Sequence, residues 1–87
     1  MANPKEFKYL KAFGKRVADI RRKRGLTQEQ LAELIEVHPR IVQKIEAGDL
    51  NPKTTTMIRI QAYLACPWER LIPPFRPEKQ AVKKPRG

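Results

Sequence analysis

Eighty-seven residues suit one domain, and a domain of that size buries only about 60% of the surface its unfolded chain exposes, so dimerisation would add useful stability. Nineteen Lys and Arg against nine Asp and Glu leave a formal charge of +10; the simplest use for such an excess is a partner of regular negative charge, nucleic acid first, although basicity also serves solubility. No run approaches the roughly 18 apolar residues of a membrane span and MANPKEFKYLK lacks the apolar core of a secretion signal, so a cytoplasmic location is expected.

The chain opens with a helix signal. Asn3 suits the cap, Pro4 the first helical position, and Glu6 can reach back toward the cap. The series Phe7, Leu10, Phe13, Val17, Ile20 keeps helical spacing as far as Gly25, which suits a left-handed terminator. Gly14 inside that helix costs roughly 1 kcal/mol relative to alanine, which points to another segment packing closely there. The basic run Arg21, Arg22, Lys23, Arg24 fits a solvated helix end favoured by the helix dipole, the reading preferred for Lys23 and Arg24.

The stretch Gln28–Ala47, QEQLAELIEVHPRIVQKIEA, reads as two short helices joined by a tight turn, the helix-turn-helix that enters the DNA major groove. Thr27 caps its first helix and Gln30 completes a T-x-x-Q capping box. Leu31, Ala32 and Ile35 share one face of that helix, and Val42 and Ile45 share one face of the next, so the two faces can pack together. Ala32 is the small residue there, which predicts that the helices cross at it. The second helix of the pair begins at Pro39, whose absent N–H is no loss in a first turn, and ends at Gly48. Its outer face carries Arg40, Gln43 and Lys44, long enough to reach base edges and phosphates.

After a loop over Asp49–Lys53, residues Thr54–Leu64 predict a fourth helix with apolar surface from Met57, Ile58, Ile60 and Leu64. Pro67 opens a short fifth. There Trp68, Leu71 and Ile72 make the element apolar beyond what so short a helix can hide, the best candidate for a dimer interface; the alternative is that they complete the monomer's core. The sole cysteine, Cys66, cannot make an internal disulfide, and with one histidine it cannot supply a zinc site. The remainder, PPFRPEKQAVKKPRG, is proline-rich and basic and is expected to be disordered. The expected organisation is therefore an N-terminal extension of the first helix over 1–12, a DNA-binding domain over 13–72 and a basic tail over 73–87.

Four segments, RRKRGLTQEQLA, VHPRIVQKIEAG, NPKTTTMIRIQAYL and WERLI, together resemble the helix-turn-helix regulators typified by phage Cro and the phage repressors, also called the xenobiotic-response-element family. The resemblance implies an all-α, compact five-helix bundle acting on double-stranded DNA, commonly as a homodimer on a near-palindromic operator. It assigns base reading to Pro39, Arg40, Gln43 and Lys44. Arg40 matches the two acceptors of guanine, Gln43 can pair with adenine, and Pro39 at most touches a thymine methyl; Ile41, between these faces, does the same or simply packs. Backbone contacts fall to Gln28 at a helix N-terminus that favours anions, and to Asn51 and Lys53 in the loop. It also pairs Arg21 with Glu46, tying the first helix to the recognition helix.

Two residues between the second and third helices depart from the family pattern. Glu36 stands at a left-handed turn position that is commonly glycine, which costs about 1 kcal/mol if the geometry is kept. His38 stands where serine or threonine commonly caps; a pH-switch role is the alternative to simple capping. Cys66 occupies a position that is usually small and aliphatic, so core packing is expected rather than redox chemistry. No nucleophile–base pair or carboxylate–metal constellation stands out, so neither enzymatic activity nor a cofactor is expected. The competing function is a protein-binding one, as an antitoxin or a bridging factor of the same fold. Within the regulator class, restriction–modification controllers are of similar size.

Overall fold

The structure, a computed structural model, describes residues 4–75. The expected cap at Asn3 and most of the basic tail, residues 76–87, lie outside the described residues. The described chain is all-helical: α1 (Pro4–Lys23), α2 (Gln28–Ile35), α3 (Pro39–Ala47), α4 (Thr54–Leu64) and α5 (Trp68–Leu71). The core is one cluster to which every helix contributes, with Phe13 and Val17 from α1, Leu31, Ala32 and Ile35 from α2, Val42 and Ile45 from α3, Ile60 and Leu64 from α4, and Leu71 from α5.

Helix α1 is continuous through residues 4–12 and the start of the core segment. Its crossing with α3 passes through Gly14, where a Cβ would overlap the Ile45 carbonyl oxygen and lie 2.7 Å from that of Glu46. The close packing predicted from that glycine is therefore α3's backbone. At the other end of α1, Arg24 does not simply extend into solvent. Its Nε donates to the Leu64 carbonyl at 2.8 Å and its guanidinium also reaches the Ala65 carbonyl at 3.3 Å. Those are carbonyls that α4's last turn leaves without intrahelical donors, so Arg24 closes α4 from across the fold.

The capping box of α2 is present in both directions, with the Gln30 N–H donating to Thr27 Oγ1 at 3.0 Å and the Thr27 N–H donating to Gln30 Oε1 at 2.9 Å. Glu36 adopts the left-handed conformation with φ 61°. The Val37 N–H then donates to the Ala32 carbonyl at 3.0 Å, closing the helix end. His38 caps α3 through Nδ1, which accepts from the Arg40 N–H at 3.0 Å. Gly48 ends α3 at φ 78°. Ala65 ends α4 in the same left-handed region, at φ 50°, without glycine's steric freedom.

Three expectations about apolar residues require correction. Leu71, offered with Trp68 and Ile72 for a dimer interface, is 0% exposed and completes the core of the single chain. Ile58 points outward rather than joining Ile60 and Leu64, because successive positions on a helix differ by about 100° and the core takes only one side of α4. Residues 73–75, expected to begin a disordered tail, run against α1, with the Phe75 ring 5.4 Å from that of Tyr9.

Candidate nucleic-acid interface

Helix α3 has a sharply divided surface. Val42 and Ile45 are 1% exposed, whereas Arg40, Gln43 and Lys44 are exposed, and Pro39 and Ile41 are half-buried at the edges. A nine-residue helix with that division holds its inward side fixed and leaves its three longest polar side chains outward. The structure brings Arg40, Gln43 and Lys44 to one face and leaves Pro39 near its N-terminal margin. Ile41 borders a shallow groove of about 240 Å³ with Leu50, Asn51, Pro52 and Lys53, so the helix and the following loop present one continuous surface. Asn51 and Lys53 are exposed on that loop, which buried Pro52 anchors between them.

The orientation of this surface rests on a buried polar network. Arg21 is 7% exposed. Its Nε donates to Glu46 Oε2 at 2.6 Å and a terminal nitrogen donates to Oε1 at 3.1 Å, the two-point geometry in which a guanidinium binds a carboxylate most strongly. The other terminal nitrogen donates to the Leu26 carbonyl at 2.7 Å, just before the α2 cap. Gln28 supplies a third donor to the carboxylate, Nε2 to Oε1 at 2.9 Å. One carboxylate near the end of α3 thus ties together α1, the loop entering α2, and the first residue of α2. The hydrogen bonds that the Arg21 guanidinium donates to Glu46, reinforced by the charges of Glu46 and Glu29, hold it above its ordinary pKa against the opposing effect of burial.

The Gln28 link was not legible in the sequence, where that residue reads only as a phosphate anchor. Its amide group has two N–H donors, and one is committed to Glu46. A second missed participant is Leu26, whose backbone carbonyl carries no sequence signal. Trp68 is 39% exposed at the start of α5, while Ile72 is half-buried against the core. On the neighbouring α4, Ile58 and Tyr63 are 51% and 52% exposed. No described helix is long and apolar enough to cross a membrane.

Comparisons with known proteins agree with this geometry. The helix-turn-helix family profile matches residues 17–71. The crystal structure of the restriction-modification controller protein C.AhdI from Aeromonas hydrophila superposes with a TM-score of 0.68 at 28% identity, covering 72% of this chain and 96% of that one. No curated protein gave a match. The matched span contains the capped α2, the left-handed turn at Glu36 and the outward face of α3, and the chain belongs to the helix-turn-helix family of the Cro and phage-repressor type, whose members are DNA-binding transcription regulators.

Proposed function

We propose that the protein is a homodimeric regulator that lays α3 in the major groove of a near-palindromic operator. The observation that carries this reading is the exposed row Arg40, Gln43 and Lys44 on a helix whose opposite side is buried and whose end is locked by Arg21, Glu46 and Gln28. In this reading Arg40 pairs with guanine, Gln43 with adenine, Lys44 with a base edge or nearby phosphate, and Pro39 touches at most a thymine methyl. Gln28, through its remaining amide N–H and the N-terminus of α2, binds a phosphate on one side of the groove, and Asn51 and Lys53 bind the backbone on the other. One recognition helix reads too few bases for specificity, so two copies act together. Exposed Trp68, with Ile58 and Tyr63 of α4, supplies the apolar contact between them, and Ile72 lies at its margin.

The test is duplex binding as a function of salt. About six neutralised phosphates give a log–log slope near −5 or steeper; a slope near zero would overturn the proposal. The likeness to C.AhdI favours restriction–modification control as the specific role. Mapping bound sites in the native genome decides it: sites upstream of restriction or modification genes support that role, and their absence there removes it.

A further inference from the structure

Helix α1 carries a second charged surface, turned away from the recognition helix. Gly14 meets the carbonyls of Ile45 and Glu46 on α3, and Ala18, one turn on, is buried. Arg16 lies two positions from Gly14, roughly 200° around the helix axis. It faces the end of α5, where its guanidinium donates to the Ile72 carbonyl at 3.1 Å and the Arg70 carbonyl at 3.4 Å. Ile20 and Lys23 follow Arg16 at helical spacing on that side. Together with Arg24 and Arg70 they border an open depression of about 600 Å³ whose apolar floor includes Ile20 and Cys66.

The depression is strongly cationic. Arg16, Lys23, Arg24 and Arg70 line it against one acid, Asp19, which lies 3.6 Å from Arg22 outside it. Arg16 and Arg24 are already held by backbone carbonyls, Arg24 by that of Leu64 at 2.8 Å, and each bond uses only part of the guanidinium's five donors. Little side-chain freedom remains to be lost when an anion binds them. Lys23 and Arg70 are exposed and have no ion-pair partner among the described residues.

We propose that this depression docks an acidic segment of a partner protein, one with carboxylates on either side of an apolar residue. Arg16 and Lys23 are seven positions apart, about 10.5 Å along the helix axis, so their charges suit carboxylates spaced along a chain better than one compact anion. The shape points the same way: an open depression leaves a small ligand largely in water, whereas a segment of polypeptide covers it. Ile20 and Cys66 receive the apolar residue between the acids. Because the depression and α3 meet different sides of α1, the segment binds while the protein is on DNA. This surface is independent of base reading.

The test uses the full chain, free and bound to a duplex chosen by selection, with a fluorescein-labelled peptide of alternating Glu and Leu as probe and anisotropy as readout. Lys23→Glu with Arg70→Glu reverses two charges in the depression. Lys8→Glu with Lys15→Glu reverses two exposed charges elsewhere on α1 and controls for net charge. The depression variant loses at least about tenfold in affinity and the control less than about threefold, with circular dichroism verifying that both fold; such losses correspond to a local rather than a diffuse contact. The peptide stays bound when the duplex is added. Equal losses in the two variants, displacement of the peptide by the duplex, or stoichiometric competition by inorganic pyrophosphate would each overturn the proposal. The first assigns binding to overall charge, the second to α3, and the third to a small-phosphate site. Should no duplex be selected, the two variants compared on the free protein still decide this proposal.

Discussion

Replacing Arg21 by alanine removes three described hydrogen bonds, two to Glu46 and one to the Leu26 carbonyl. The Glu46 carboxylate, whose side chain is 6% exposed, keeps only the Gln28 amide as a partner. A desolvated charge without its counter-ion costs about 3–5 kcal/mol, a large share of the 5–15 kcal/mol that stabilises an ordinary domain. At about 4–8 °C per kcal/mol for a chain of this size, the melting temperature should fall by roughly 12–40 °C. Arg21→Met with Glu46→Leu removes both charges and should cost far less. The raised Arg21 pKa fixes the pH dependence: a cation held above its ordinary value stabilises the fold at all pH below that value and loses the effect only as pH rises through the folded value. That window lies well above neutrality, so the difference between parent and Arg21→Ala should stay constant from about pH 6 to pH 9. Thermal melts with DNA binding measured below the transition decide the matter. An Arg21→Ala protein that melts like the parent while losing affinity would refute the structural role and make Arg21 a direct phosphate contact.

Gly14→Ala should destabilise by about 1–3 kcal/mol in denaturant unfolding, despite alanine's better helix propensity, because its Cβ meets the rigid backbone of Ile45 and Glu46. Glu36→Gly should stabilise by about 1 kcal/mol in the same assay, since φ is 61° there and glycine occupies that region without strain. Trp68→Ala should shift sedimentation toward monomer with folding intact; an unchanged dimer places the interface elsewhere.

Local chemistry made much of the fold legible. Thr27 with Gln30, Pro39, and the terminators Gly25 and Gly48 mark their boundaries through interactions within a few residues, and the structure repeats them. Gly14 announced a close crossing but not its partner. What sequence left open depends on distant partners. Leu71 is apolar whether it faces its own core or a second copy, and only the packing of α5 places it inside. Arg24 reads as a helix end because its acceptor, the Leu64 carbonyl, lies 40 positions away and has no side-chain signature. The same holds for Gln28, which lies 18 positions from Glu46. Ala65 takes a left-handed conformation without the glycine or asparagine that would have flagged it. At the candidate interface, helical spacing alone assembles Arg40, Gln43 and Lys44, whereas the network behind them joins three separate segments.

If α3's outer face reads base sequence, as proposed, selection of bound duplexes from a random library will show it. The parent should yield an inverted repeat with half-sites about 34–36 Å apart. Arg40→Ala should relax the preference at one position in each half-site and cost roughly 1–3 kcal/mol, whereas Lys53→Ala should weaken all sequences alike. The same consensus from parent and Arg40→Ala, or none from the parent, would rule out base reading by Arg40 on α3.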